Sequence, residues 1–301
     1  MLYDKFFKMN RPDISISTIK SYSATIRGLM KKMNIVIEKP EDIIDNIEKV
    51  IEAYTDVKYN SRKTHISALI SFIDDSSDES RIAVNKLRKI MIEDIALYNK
   101  FVDSQEKSDS QKNNWIDWDD VIKRYQSFEK EVIPLWKLEP HELSKNNFNK
   151  LKMFVLLSCY ILIPPRRSLD YVTFKLRNIN ITKDNFMRGR KFIFNTYKTS
   201  STYGLTEVEI PQKLYSIIKK WTIINPSDYL ITGNNDKMKA ISSPQLTNML
   251  NSFFDKRVSV NILRHSFLTH LYKDLPDLKN MRDIAQDMGH DIVTALEYVK
   301  K

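Results

Sequence analysis

Arg264, His290 and Tyr298 follow one another through the last forty residues of the chain. Leu263-Arg264-His265-Ser266-Phe267 opens a stretch of helical spacing, and Met288-Gly289-His290 comes about two dozen residues later. Tyr298 stands close to the carboxyl end. These residue types suit the attack of a phenol on a phosphodiester. Arginine neutralises the phosphoryl oxygens, histidine holds them or handles a proton, and tyrosine supplies the nucleophile.

Two upstream segments carry residues suited to the same chemistry. Pro164-Pro165-Arg166-Arg167-Ser168-Leu169-Asp170 follows an apolar run that ends at Ile163. A basic pair there, followed by a carboxylate, sets a guanidinium beside a partner able to orient it. Lys198 follows an expected strand, Phe192 to Tyr197, and precedes Thr199-Ser200-Ser201. A lysine between two strands can reach a leaving oxygen as general acid while staying mobile.

Most of the elements that must position these residues read as helices. Five glycines in 301 residues leave few tight hairpins. Apolar spacing predicts helices over 17–33, 40–54, 60–73 and 80–99, with Arg62 and Lys63 near the start of the third. The run 103–114 (DSQEKSDSQKNN) has no apolar residue and reads as a linker. Residues 1–105 are therefore expected to form a helical domain, 106–114 the linker and 115–301 a second domain. In the second domain helices are expected at 118–130, 148–163, 212–222, 244–254, 260–272, 281–288 and from 292 onward. Short strands are expected at 174–181, 191–197 and 204–210. The expected fold class is mainly α with a small antiparallel β-sheet.

Composition narrows the partners. A formal charge of +10 and a pI near 9.3 favour a polyanion, and nucleic acid is the commonest one. Cys159 is the single cysteine, which excludes an internal disulfide and a thiolate metal cluster. The longest apolar run, 153–163, falls short of the ~20 residues of a membrane span. The amino terminus lacks a signal-peptide core. An intracellular protein, in the cytoplasm or nucleus of a host cell, is the simplest expectation. No P-loop, paired-carboxylate metal motif or His/Cys metal spacing occurs, so no cofactor or metal is expected.

The motifs together resemble the tyrosine recombinases, the phage-integrase family. The second domain is similar to that family's catalytic domain over roughly 115–301, with the motifs in family order. The first is similar, more loosely, to its core-binding domain, through the helix Thr18 to Leu29. The resemblance implies a catalytic set of Arg167, Lys198, Arg264, His290 and the nucleophile Tyr298. Asp170 lies three positions beyond Arg167, where the family keeps an acidic residue, and His265 has at most a supporting role. Arg166 would leave Leu169 at the acidic position and ranks second. The sequence departs at Asn261, where the family usually has histidine, and at the eight-residue step from His290 to Tyr298, where nine is commoner. Asparagine donates a hydrogen bond but carries no proton. The implied activity is site-specific recombination or integration of DNA through a 3′-phosphotyrosyl intermediate, as in a mobile element or virus. Double-stranded DNA and a homo-oligomer, a tetramer on DNA, are the implied partners, with Arg62 and Lys63 as DNA contacts. A type IB topoisomerase-like relaxing enzyme and a catalytically impaired DNA-binding relative stay open as alternatives.

Overall fold

A computed structural model describes residues 3–74, 76–233, 236, 238–273 and 278–300. The chain divides into two compact units, Met1–Ser104 and Gln105–Lys301. The described residues are mainly helical, with a three-stranded antiparallel sheet.

The first unit holds α1 (Asp4–Asn10), α2 (Ile16–Met33), α3 (Pro40–Ile44), α4 (Ile47–Ala53), α5 (Tyr59–Phe72) and α6 (Asp78–Asp103). Its core joins Phe7 of α1, Ile26 and Leu29 of α2, Leu69 and Phe72 of α5 and Leu87 of α6. The sequence pattern misses α1, which is too short for a helical period to stand out. Its Phe7 packs 5.6 Å from both the Tyr22 and Phe72 rings. The helix expected over 40–54 is two, broken where the Asn46 side chain donates back to the Asp42 carbonyl.

The second unit opens with α7 (Asp109–Asn114), inside the run expected to be a linker. A reciprocal cap between Ser108 and Gln111 starts this helix without apolar residues. Then come α8 (Trp118–Val132), a 3₁₀ turn (Ile133–Lys137), α9 (Lys145–Ile161) and α10 (Ser168–Val172). The sheet follows as β1 (Phe186–Arg188), β2 (Lys191–Phe194), α11 (Ser200–Tyr203) and β3 (Thr206–Glu209). The remaining helices are α12 (Gln212–Ile224), α13 (Ser243–Phe254), α14 (Val260–Leu271), α15 (Leu278–Asp287) and α16 (Ile292–Glu297). Strand order is β1-β2-β3, with Phe186 opposite Ile193 and Phe192 opposite Val208.

The strand expected at 174–181 does not form. The Leu176 and Arg177 amides turn to the Asp228 carbonyl, and the Arg177 guanidinium donates to the Thr222, Asn225 and Ser227 carbonyls. Those polar groups finish the end of α12 rather than a ladder. Among the described residues no helix is long and apolar enough to cross a membrane.

Two apolar clusters divide the second unit. The large one is built on α9 and the sheet and includes Phe154, Tyr160, Tyr171, Phe194, Trp221 and Leu263. A small satellite joins Leu268, Tyr272, Ala285, Met288 and Ala295, with Tyr298 and Val299 at its edge.

Candidate active site

The site grows from three pieces of backbone. The segment after α9 carries Arg166 and Arg167, α14 carries Arg264 and His265, and the turn between α15 and α16 carries His290. Pro164 and Pro165 prevent α9 from continuing, and the chain is extended at Arg167 (φ −71°, ψ 155°). Ser259 caps α14 by accepting from the Ile262 amide, and Leu263 and Leu268 anchor the helix in the two clusters.

At the end of α15 the His290 amide donates to the Ala285 carbonyl and the Gly289 amide to Gln286. Gly289 has φ +75°, the left-handed conformation that this paired helix ending requires. The last carbonyls of α15 and its turn then meet three guanidinium groups in succession. Arg166 Nη1 donates to Asp287 O at 2.5 Å, Arg264 Nη1 to Met288 O at 3.3 Å and Arg167 Nη1 to Gly289 O at 3.1 Å. Thr199 Oγ1 also donates to Gly289 O, at 3.0 Å. Cations suit the negative end of a helix dipole.

Arg264 is fully buried. Its Nη1 also donates to Pro165 O at 2.8 Å, while Nε and Nη2 have no hydrogen-bond partner among the described residues. Burial lowers its pKa, and the Tyr298 phenol is foremost among the groups that oppose the shift. The Tyr298 ring lies over the guanidinium, its centroid 4.7 Å from Cζ. His265 packs on the same ring at 4.7 Å and His290 stacks on it at 5.4 Å and 13°. Tyr298 is half-buried and occupies the C-cap of α16, a helix started by the Asp291 side chain on the Thr294 amide. The eight-residue step from His290 is thus compatible with contact between the two rings.

Both histidines are held neutral. Burial, reinforced by Arg264, lowers the pKa of His290 to about 3. Burial lowers that of His265 to about 4, against the pull of its bond to the Tyr298 carbonyl. His265 Nδ1 lies 2.7 Å from Tyr298 O and His290 Nδ1 3.2 Å from Asp291 O. A carbonyl only accepts, so Nδ1 carries the proton in each neutral ring and Nε2 keeps its lone pair. His290 Nε2 has no partner among the described residues.

The expected pairing of Asp170 with Arg167 is corrected by the structure. Asp170 holds Arg166, Nε to Oδ2 at 2.7 Å, both side chains being buried. Burial raises the Asp170 pKa against the pull of Arg166. Arg167 instead turns toward Gly289 and is half-buried. In extended backbone, consecutive side chains point to opposite sides, so only one of the pair can enter the core. Sequence reasoning ranked Arg166 second and passed over its pairing, although the i,i+4 spacing to Asp170 is a readable sign of a pair across a first helical turn. It also passed over Tyr160, fully buried beneath Asp170 and Arg264, whose hydroxyl has no partner among the described residues.

Lys198 is exposed in the turn between β2 and α11, beside Thr199. Asn261 is exposed on the first turn of α14 and is not gathered into the buried cluster. A cavity of about 360 Å³ opens beside His290, bordered by Tyr197, Tyr203, Arg282, Gln286 and Asp291.

In the first unit, Arg62 and Lys63 are engaged within their own fold. Arg62 Nη2 pairs with the buried Asp94 at 2.6 Å, and Lys63 Nζ sits 3.4 Å from the Tyr98 ring centroid. Removing Arg62 would leave a buried carboxylate uncompensated, so its loss perturbs stability as well as any anion contact.

No protein-family model matches the chain, and no curated protein matches it either.

Proposed function

We propose that the chain is a tyrosine-type DNA strand transferase, a site-specific recombinase or integrase that cleaves and rejoins double-stranded DNA. The observation that carries this reading is the buried Arg264. It keeps two nitrogens, Nε and Nη2, without hydrogen-bond partners against the ring of Tyr298, with the free Nε2 of His290 alongside. Unmet donors on a buried guanidinium call for an anionic acceptor, and a phosphodiester supplies one.

In the reaction the Tyr298 oxygen bonds to phosphorus as the bond to the 5′ oxygen breaks. The phenolic proton leaves to solvent as the bond forms, because His290, held neutral with its pKa lowered to about 3, is too weak a base to take it. Arg264 and Arg167 stabilise the added charge on the nonbridging oxygens. Lys198 gives a proton to the departing 5′ oxygen. The 3′-phosphotyrosyl link conserves the bond energy, and attack by a 5′-hydroxyl reverses the step. The first unit would complete a clamp around the duplex, and several protomers, four in the family's manner, would bring two sites together.

The test is capture of the intermediate. The protein is incubated with a random-sequence library of nicked duplexes, denatured, and assayed for DNA that stays attached. The expected adduct appears with wild type and vanishes with Tyr298→Phe. Absence of any Tyr298-dependent adduct would reject the reading. The catalytically impaired alternative draws on the burial of Arg264 and the exposure of Asn261, and it predicts sequence-selective DNA retention without an adduct. Relaxation of supercoiled plasmid by monomers, with no recombinant product, would favour the topoisomerase-like alternative.

A further inference from the structure

Arg166 is absent from the catalytic set, yet it is as fully buried as Arg264 at the turn. Its Nε holds Asp170 Oδ2 at 2.7 Å and its Nη1 holds Asp287 O at 2.5 Å. Its Cζ lies 4.0 Å from the Phe194 ring centroid and 5.1 Å from that of Tyr197. On the other side it meets Gly289 so closely that a Cβ there would stand 3.0 Å from Nη2 and 3.5 Å from Cζ. Asp170 is itself tied to the sheet, because Asn185 Nδ2 donates both to the Asp170 carbonyl and to the Thr196 carbonyl.

We propose that Arg166 is a positioning residue for His290, fixing the turn 287–290 against α10 and the sheet. Its catalytic consequence rests on the strand-transfer reading above; its structural consequence does not. A planar guanidinium can bond Asp170 along one edge and Asp287 O along another at once. A lysine has one nitrogen to share between them. A buried ion pair is seldom retained for stability alone, since apolar replacements of similar volume often fold as well. Here the pair defines a geometry: Asp170, Arg166, the Asp287 carbonyl, Gly289, then His290. Arg166 reaches phosphate through none of these contacts and would act only by where it sets the imidazole.

The experiment uses the full chain and two kinds of variant. Arg166→Met/Asp170→Asn removes both buried charges together, so the fold survives while the link to the turn is cut. Gly289→Ala attacks the same contact from the other side, through its positive φ and the close approach to Arg166. The first readout is the titration of the His290 imidazole by NMR. In wild type it titrates far below the ordinary range, at about 3. In the variants it should move toward the unperturbed value of about 6.5 as the turn loosens. The second readout is the single-turnover rate of adduct formation on a nicked duplex recovered from the library. A misplacement of about an ångström lowers such a rate on the order of a hundredfold, with DNA retention unchanged. Variants that keep the wild-type titration overturn the proposal, whether or not the rate falls. A shifted titration with an unaltered adduct rate overturns its catalytic half. If wild type forms no adduct, the strand-transfer reading fails, and the titration still decides whether Arg166 sets the turn.

Discussion

The arginines and the tyrosine of the candidate site rest on unequal foundations. Arg166 lies against Phe194 of the large cluster, and Arg264 sits next to Leu263 of the same cluster. Tyr298 stands at the edge of the small satellite, whose buried members are Leu268, Tyr272, Ala285, Met288 and Ala295. The cationic shelf is therefore part of a folded core, whereas Tyr298 is held by a few contacts on two short helices. The difference teaches that the arginine shelf and the placement of Tyr298 are separable here, so on the proposed reading anion affinity and nucleophile readiness can be changed independently. The Tyr298 ring lies over the Arg264 guanidinium, so on the proposed reading the attacking ring covers the group that binds phosphate. On that reading, admission of DNA requires the tyrosine end to shift while the shelf stays.

The strongest test of that inequality is a pair of core truncations. Leu263→Ala should lower the stability of the whole second unit by about 2–5 kcal/mol, the usual range for such a cavity. Met288→Ala removes a similar volume from the satellite. It should act locally, speeding amide exchange across 279–300 with a smaller change in the global denaturation midpoint. Equal midpoint losses without selective exchange would mean that the two clusters unfold as one.

Acid should probe the same boundary with a smaller effect. His265 and His290 are held at about 4 and about 3, below the value of an unfolded histidine, and both rings pack on Tyr298. The unfolded chain therefore binds these protons first. The stability due to neutral burial is present above about 6.5 and is lost as pH falls toward 4 and then 3. Asp287 acts in the opposite sense, because burial raises its pKa to about 6 against the pull of Arg166. It gains a proton in the folded state between about 6 and the unfolded carboxylate range. Asp170, also raised by burial, acts with Asp287; both histidines lose their burial advantage from about 6.5 downward, so thermal stability should fall from pH 7 to pH 5, with exchange rising first at the tyrosine end. His290→Asn should flatten that slope; an unchanged slope would free the histidines of the effect.

The sequence carried this architecture unevenly. Helices with long apolar periods, such as α2, α5, α9 and α14, were legible because their buried stripes repeat over several turns. α7 was not, because its start depends on a polar cap and its residues have no apolar stripe. The missing strand at 174–181 has β-forming residues whose amides go elsewhere, to Asp228, which lies some fifty residues on. At the site, spacing led to Arg264, His290 and Tyr298, which do meet in space. Spacing alone did not settle which arginine Asp170 would hold. That choice depends on which side of an extended segment faces the core, a property of the tertiary fold and not of the local motif.

The smallest expected effect concerns the start of α16. Asp291 Oδ1 accepts from the Thr294 amide at 2.7 Å, capping a helix of six residues whose C-cap is Tyr298. The carboxylate also lies at the positive end of that helix, and its pKa is lowered first by this amide bond. Asp291→Ala should cost about 1 kcal/mol, the usual value of a helix cap. In a short helix on a small cluster, that loss should appear as local opening at 292–298 and leave the arginine shelf intact. If Tyr298 must lift from Arg264 before DNA enters, looser capping should speed adduct formation at low DNA concentration. Slower formation would mean that the capped position is already the one from which Tyr298 attacks.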